Sequence, residues 1–281
     1  MQKGRKAFTY TRKKNWWKYL CSILIAVIYL LPIYVIVVTS LKPVTDHSSR
    51  LSLPRTLYWQ NYINVLGDGG LLNALKNTAV ISVGVVMIEV IVGCLAAYPI
   101  ARNRSKFNHV IESLIMGVMM IPPLSIVVGV YSTLVSLNAI STYWGIILVI
   151  AAFNLPMSIY LYIKFIRSIP VSLDEAAAID GAGIMQVFFY IILPQLKPVT
   201  VSVIIMRGVA AWNEYAYSLY ILQQKEMYNI TLTVKQYFSE NMSDLNSAAA
   251  GAVVATLPMI IIYLFLQKYF IKGQLDSAVK G

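Results

Sequence analysis

The residues best suited to chemistry or recognition lie in one segment, 165–198, between two long apolar stretches. Shortly after Pro170 it contains Ser172-x-x-Glu175, the spacing of a capping box, in which a serine and a glutamate cap the start of a helix. Asp174 and Glu175 fall in the first turn, where the positive end of the helix dipole favours carboxylates. The pattern therefore predicts a helix that begins near Ser172.

The rest of this segment predicts an abrupt stop and a second helix. The first helix continues through three small, strongly helix-forming residues, Ala176, Ala177 and Ala178. Two glycines then permit a sharp turn, Gly181 and Gly183. A second, apolar helix is expected to run to Leu193, and two prolines mark the return to the apolar stretch, Pro194 and Pro198.

A surface of small residues allows a partner protein to approach closely, but it is poorly equipped for catalysis. The segment contains no His, no Cys and no Ser–His arrangement that could act as a nucleophile with its base. The residues leave two interpretations open: a docking helix for another protein, or an ordinary amphipathic connector.

Two charged residues fall inside apolar stretches, Glu89 and Arg207. A charge at the centre of a membrane helix costs roughly 2.5–3.5 kcal/mol on insertion scales, so each side chain is expected to face protein or water. The two residues either form a structural pair or line a translocation pathway. Because they have similar depth, we also expect them to be electrostatically coupled.

A run of aromatic and polar residues occurs in the outer half of the fifth apolar stretch: Trp212, Asn213, Glu214 and Tyr215. Aromatic rings beside hydrogen-bonding groups suit a sugar, which has an apolar face and polar edges. Aromatic residues also anchor helices at the membrane interface, so this run is a candidate pathway with a structural alternative.

Several kinds of chemistry lack their sequence signatures. There is no G-x-x-x-x-G-K-[ST] motif, so no phosphate-binding loop of the Walker type is predicted. His47 and His109 have no partners at metal-ligand spacing, and Cys21 and Cys94 both fall inside apolar stretches. We expect a chain that is not an enzyme and binds no metal or cofactor of its own.

The composition indicates that lipid surrounds these elements. Hydrophobic residues make up 58% of the 281 residues and charged residues only 12%, about half the charged share of an ordinary soluble domain. The net charge of +11 raises the question of nucleic acid. However, seven basic residues are concentrated in a tail, 1–18, directly before an apolar stretch, which is typical of a cytoplasmic flank beside anionic lipid. No nucleic-acid partner is expected.

About 20 mainly apolar residues are needed to cross a bilayer as a helix. The tract 113–163 is free of charge and would be about 75 Å long as one helix, so it must fold back near Ser136–Thr142. The sequence therefore predicts an all-α membrane protein in which a permease domain, 19–271, has six transmembrane helices. These are expected at about 19–41, 78–101, 110–135, 143–163, 199–221 and 245–267.

The distribution of basic residues predicts the orientation. With the N-terminus in the cytoplasm, the inner segments hold 16 of the 23 Lys and Arg and the outer loops hold six. Positive residues favour the cytoplasmic side. Both termini, including a C-terminal tail at 272–281, and the loop 165–198 are therefore expected inside.

The loop motif closely resembles the EAA loop of the permease subunits of ATP-binding-cassette (ABC) importers. The resemblance is carried by Glu175-Ala-Ala-x-x-Asp180-Gly-Ala182, followed by Leu193-Pro194 and Pro198. It extends over nearly the whole chain, to Ala97-Tyr98-x-x-Ala101-Arg102, Trp212-Asn213-Glu214-Tyr215 and the ending Ala278-Val-Lys-Gly281, which is similar to carbohydrate permeases of the MalG type. Glu214 stands where Asp is common, a change that keeps the charge.

The resemblance implies that this loop is the coupling helix that docks on an ATPase subunit. It also implies the partners: a homologous sister permease, two ATPase subunits that hold the ATP and Mg, and an external sugar-binding protein. The expected location is the inner membrane of a bacterial cell, and the expected substrate is a sugar or oligosaccharide.

Two other functions remain open at the level of sequence. A permease of the same architecture could carry a polyamine or a peptide, although the extended motif at Asp180-Gly181-Ala182 favours sugar. An ion-coupled secondary transporter would instead predict inverted repeats and helices broken at the membrane midplane. No clear repeat is found in the sequence.

Overall fold

The computed structural model describes residues 16–67, 69–240 and 244–278, and within them the regular structure is helical, without strands. Most of the predicted basic tail, residues 1–15, and the final residues 279–281 lie outside this range. The helices are α1 (Trp16–Ser40), α2 (Gln60–Gly67), α3 (Gly70–Arg102), α4 (Lys106–Val118), α5 (Val127–Ser136), α6 (Tyr143–Ser168), α7 (Ser172–Ile179), α8 (Ile184–Gln186), α9 (Leu193–Gln195), α10 (Lys197–Trp212), α11 (Ala216–Ile221), α12 (Ile230–Glu240) and α13 (Leu245–Ala278). Short 3₁₀ turns cover Pro123–Ile126 and Lys225–Met227, and a π-helical stretch, Val187–Ile192, joins α8 to α9.

Four helices of the described chain are individually long and apolar enough to cross a membrane: α1, α3, α6 and the Leu245–Phe265 part of α13. A fifth candidate is the bent pair formed by Ile184–Gln195 and Lys197–Trp212. The protein is therefore a multi-pass membrane protein, and four of the predicted spans have clear helical counterparts. The helix α13 also runs on to Ala278, so the described part of the predicted C-terminal tail is helical.

The third predicted span, 110–135, was wrong as a continuous helix. The structure divides it into α4, which ends at Val118, and α5, which begins at Val127. Pro122 and Pro123 explain the interruption, because proline donates no backbone hydrogen bond and keeps the residue before it out of the helical region.

The fifth predicted span, 199–221, was also wrong as a continuous helix. The helix α10 ends at Trp212, and α11 begins only at Ala216. This break contains neither glycine nor proline. The Glu214 carboxylate accepts from the Tyr217 and Ser218 N–H groups, so a side chain satisfies backbone donors at the start of α11.

The loop 165–198 folds as two helical segments, as predicted, but with different details at its ends. Ser172 is already inside α7, and the preceding Val171 has no side-chain capping bond, so the predicted capping box was wrong. The backbone already turns at Pro170 and Val171, whose carbonyls accept from Leu173 and Asp174. A capping residue must have non-helical backbone angles, but Ser172 already lies within the helix.

The second segment of the loop continues two residues beyond the predicted end at Leu193, to Gln195. It meets α10 at Leu196 with a bend of 70°. Leu196 is fully buried, so the bend is packed against the bundle instead of projecting from it.

The bundle is organised around α3 and α6, which make the most extensive helix pair, with α10 packed against α3. One hydrophobic core joins the ends of α3 and α6 to the loop, through Tyr162, Ile166, Ala177, Phe188 and Leu196. In contrast, α1 packs mainly on α13 and exposes most of its apolar side chains. This exposure is consistent with a helix that faces lipid.

Candidate functional site: the coupling loop and the bundle polar residues

The helix α7 is terminated by a tight hydrogen-bonded turn at Gly181. The Gly181 N–H donates to the Ala178 carbonyl at 3.1 Å, and the Ala182 N–H donates to the Ala177 carbonyl at 2.9 Å. These two bonds form a Schellman motif, which requires a left-handed residue after the helix. Gly181 has a φ of +84°, so glycine is needed here for its backbone angle. Gly183 has an ordinary φ, and its N–H donates to Gln186 Oε1.

The faces of α7 differ in a way that the sequence did not reveal. Ala177 is only 7% exposed and packs in the core of this chain. In contrast, Glu175, Ala176, Ala178 and Asp180 are exposed. The docking role predicted for Ala177 therefore does not match its position, because a larger side chain there would first collide with the permease itself.

Apolar side chains are exposed beside this small-residue surface. Ile179 is 86% exposed, and the most exposed large apolar or aromatic side chains of α8 and the π-helical stretch are Ile184, Met185 and Tyr190. We call Ile179, Ile184, Met185 and Tyr190 the loop apolar face. Several large apolar side chains exposed on one short segment are typical of a protein interaction site. The sequence alone predicted an apolar second helix but could not show which of its side chains remain exposed.

A polar cluster lies behind α7, and we call Arg102, Asp174 and Tyr98 the Arg102 cluster. Arg102 Nε and Nη2 donate to the two Asp174 oxygens at 3.2 and 2.8 Å. Arg102 Nη1 donates to the carbonyls of Ile166 and Ile169, at the end of α6. The Tyr98 hydroxyl donates to Asp174 Oδ1 at 2.9 Å. The cluster thus connects α7 to the ends of both α3 and α6.

The residues predicted to return the loop to the bundle lie around the Leu196 bend. Leu193 is half-buried, whereas Pro194 and Pro198 are exposed. Pro198 occupies the first turn of α10, where the missing N–H is not required. In contrast, Pro194 lies near the end of the continuous helical segment Ile184–Gln195.

The structure brings Glu89 and Arg207 together in the bundle. Arg207 Nε lies 3.3 Å from Glu89 Oε2, close enough for an ion pair but without hydrogen-bond alignment. Glu89 Oε2 also accepts from the Ser158 hydroxyl at 2.6 Å, and Arg207 Nη1 donates to Asn154 Oδ1 at 3.3 Å. Glu89 is completely buried, so these contacts join α3, α6 and α10. The geometry matches the predicted structural pair.

The run at 212–215 divides into residues used internally and residues that remain accessible. Trp212 is buried and its indole N–H donates to the Ala255 carbonyl in α13. The Glu214 carboxylate accepts from the backbone N–H groups of Tyr217 and Ser218 and from the Ser218 hydroxyl. The Glu214 side chain therefore stabilises the break and is not free to bind a sugar, whereas Trp212 is tied to α13 and Asn213 and Tyr215 are exposed.

Asn213 lines a cavity of about 390 Å³ between α10, α12 and α13. The wall combines polar groups of Thr231, Lys235 and Thr256 with apolar side chains such as Val234 and Met259. This volume falls within the usual range of small-molecule sites. Among the predicted pathway residues, Trp212 and Asn213 thus both line a cavity of suitable size and mixed polarity.

The two histidines do not form a metal site. His47 and His109 are both exposed, and the described part of the chain has no group of three or more His, Cys, Asp or Glu that could hold a metal ion. The cysteines are free, Cys21 exposed and Cys94 buried.

Comparison with known proteins assigns this architecture to a family. Residues 89–275 match the family model described as "Binding-protein-dependent transport system inner membrane component". The melibiose/raffinose/stachyose import permease protein MelC of Bacillus subtilis is 37% identical, over 93% of this chain and 95% of its own length. The multiple sugar-binding transport system permease protein MsmG of Streptococcus mutans is 31% identical over 94% and 96%.

A solved structure shares the fold. A chain of a bacterial ABC transporter involved in the import of the acidic polysaccharide alginate superposes with a TM-score of 0.76, covering 93% of this chain and 99% of that one, at 23% identity. A second alginate transporter structure, in complex with a pentasaccharide-bound periplasmic protein, gives a TM-score of 0.68 at 17% identity, over 89% and 92% of the two chains.

Proposed function

Because this chain belongs to the family of binding-protein-dependent transport system inner membrane components, we propose that it is the permease subunit of an ABC importer for sugars or oligosaccharides. Relatives that match nearly its whole length are sugar permeases, which favours sugar over a polyamine or a peptide. The substrate is delivered by an extracytoplasmic sugar-binding protein. This chain contributes the path through the bacterial inner membrane, together with a homologous sister permease.

The proposed topology has six crossings, with both termini and the loop 165–198 in the cytoplasm. The divided third and fifth spans, α4 with α5 and α10 with α11, each count as one crossing. The segment Ile184–Gln195, bent by 70° from α10, is assigned to the cytoplasmic loop and not to the fifth crossing. The positive-inside distribution supports this orientation. Broken helices do not by themselves favour a secondary transporter, because the breaks near Pro122 and Glu214 have local structural causes.

Engineered cysteines can test the orientation in intact cells. In a background with Cys21→Ser, Asp180→Cys should resist an impermeant thiol reagent, while His47→Cys in the exposed outer loop should react. Reaction of position 180 from outside would contradict the topology.

ATP hydrolysis is assigned to two partner subunits, which hold the ATP and Mg and dock on the loop. The observation that carries this assignment is the loop apolar face: four large side chains exposed beside a helix of small residues, on a segment whose other side is fixed to the bundle. Full burial of an Ile or Met side chain contributes roughly 1.5–3 kcal/mol before the costs of association are subtracted.

A charge placed on the loop apolar face tests the docking. Ile179→Glu should insert in the membrane normally but should lose co-purification with the ATPase subunits and lose sugar uptake. Leu53→Glu is the matched control, because Leu53 is also exposed but lies in the outer loop. Retention of the ATPase by Ile179→Glu, with normal uptake, would refute the docking site.

Transport itself distinguishes the remaining alternatives. The complete complex, reconstituted in liposomes, should import labelled oligosaccharides with ATP and its binding protein. Uptake should survive an uncoupler that collapses ion gradients. Uptake of spermidine or a peptide but of no sugar would overturn the substrate assignment.

A further inference from the structure

The Arg102 cluster connects parts of the molecule that are far apart in sequence. Asp174 in α7 and Arg102 at the end of α3 are 72 residues apart, and both carboxylate oxygens are bonded by the guanidinium. The remaining guanidinium nitrogen donates to two carbonyls that end α6, at 3.1 and 3.0 Å. A bidentate arginine–carboxylate pair is stronger and more directional than an ordinary hydrogen bond. A single side chain therefore fixes α3, α6 and α7 in one arrangement.

Packing reinforces these bonds. The Arg102 and Asp174 side chains are only 12% and 16% exposed, so water screens their interaction weakly. The Tyr98 ring, which bonds Asp174 through its hydroxyl, also packs on Phe188 with a centroid distance of 5.3 Å. Phe188 and Ala177 belong to the same buried core. The loop is thus held to α3 and α6 by both polar and apolar contacts.

The route from the loop to α10 is different. Although α9 and α10 are adjacent in sequence, they meet at Leu196 with the 70° bend. The bend is nevertheless packed, since Leu196, Val199 and Val203 lie in the same buried core as Ala177 and Phe188. A displacement of α7 is therefore delivered to α3 and α6 by the bonded cluster, and to α10 by this packing and by the Glu89–Arg207 pair.

We propose that the Arg102 cluster makes α7, α3 and α6 one rigid unit, so that movement imposed on α7 by the ATPase is converted into movement of the bundle. Arg102, Asp174 and Tyr98 are then positioning residues for transport, acting through α7 without contacting the ATPase or the sugar. This inference rests on the proposed function and adds the route by which the loop acts.

The chain offers a matched control for this cluster. Arg167 and Glu112 form a second bidentate pair, with nitrogen–oxygen distances of 2.8 and 2.7 Å. This pair connects α6 to α4 and does not contact α7. Variants of either pair lose a bidentate ion pair, but only variants of the Arg102 cluster also lose the connection to α7.

The experiment compares Asp174→Asn and Arg102→Lys with Glu112→Gln and Arg167→Lys. Each complete complex is reconstituted in liposomes with the binding protein, and the sugar imported per ATP hydrolysed is measured. In the two cluster variants this ratio should fall about fivefold or more, the usual lower size of a coupling between sites. The amount of co-purified ATPase should remain normal, because the loop apolar face is intact. Both control variants should keep the normal ratio.

Conservative variants separate a coupling role from a merely structural one. Asp174→Glu retains the carboxylate and should recover part of the ratio. Tyr98→Phe removes one neutral donor and strands no charge, so it should assemble and lower the ratio by about twofold or more, the lower limit for loss of one net hydrogen bond. If Asp174→Asn does not assemble, the Tyr98→Phe ratio decides, and an unchanged value overturns the proposal.

Other outcomes also overturn it: an unchanged ratio in both cluster variants, an equal fall in the control variants, or a parallel loss of hydrolysis and import. These results differ from failure of the proposed function, which would appear as absence of ATP-dependent sugar import by the unmodified complex.

Discussion

The Arg102 cluster and the break at Glu214 use opposite charges for the same local purpose. Arg102 donates to carbonyls at the end of α6, and Glu214 accepts from the N–H groups that begin α11. Each charge matches the sign of the helix dipole it meets. The partners differ in range: Arg102 also reaches Asp174 in another helix, whereas the Glu214 carboxylate bonds residues three and four positions away. The first arrangement connects helices, and the second stabilises one interruption.

This difference assigns different roles to the two regions. Beside the Arg102 cluster, apolar side chains of the loop are left exposed for a partner. Around Glu214, the polar groups are used internally, since the Asn229 amide and the Thr231 hydroxyl both donate to the Glu214 carbonyl. We therefore expect changes near Arg102 to alter coupling and changes near Glu214 to alter stability.

The largest effect is expected from the charge pair that lies between the two regions. Arg207→Met leaves Glu89 buried without its cation, which should cost about 3–5 kcal/mol and greatly reduce assembly. The double variant Glu89→Gln with Arg207→Met removes both charges and should recover much of the loss. Exchange of the two residues should also restore assembly in part.

The measurement is the yield of assembled complex and its resistance to denaturation, arranged as a double-mutant cycle. Additive losses in that cycle would show that the two charges are not coupled, and would remove the proposed link between the coupling region and α10.

An intermediate effect is expected at the end of α7. Gly181→Val places a β-branched residue at a φ of +84°, which should cost about 1–3 kcal/mol locally and displace the loop apolar face. The readouts are ATPase co-purification and uptake, and both should fall. Gly181→Asn should be milder, because asparagine tolerates this backbone region.

Gly183→Ala is the control for this effect, since Gly183 has an ordinary φ and a Cβ there would lie 3.7 Å from Gln186. Equal behaviour of Gly181→Val and Gly183→Ala would show that the left-handed turn is not required for docking.

The smallest effect is expected at the break in the fifth span. Glu214→Ala removes the acceptor for two N–H groups of α11, and the cost of losing such a cap is about 1–2 kcal/mol. The midpoint of denaturation should fall, while the sugar imported per ATP by the assembled complex should remain normal. Glu226→Ala, at an exposed position nearby, should leave both unchanged. A fall in the ratio without loss of stability would reverse the roles assigned to the two regions.

Local sequence patterns predicted much of this architecture. Long apolar stretches indicated α1, α3, α6 and α13, because a bilayer requires about 20 apolar residues in each helix. The stop at Gly181 was also predictable, since a glycine after a run of alanines is a common way to end a helix. The resemblance of the loop at Glu175–Ala182 pointed to the family that the comparisons assign.

Other features depend on which segments meet in the folded bundle. The sequence placed Asp174 in the first turn of a helix, but only the tertiary structure gives its carboxylate Arg102 as a partner. The sequence indicated a docking role for the small side chain of Ala177. Only the packing shows that this alanine faces inward while Ile179 faces outward. The tertiary structure also decides the role of Trp212, whose indole N–H donates to a backbone carbonyl of α13. Helix propensity and hydropathy describe neighbours within one turn, whereas these contacts join residues tens of positions apart, so the assembled bundle alone decides them.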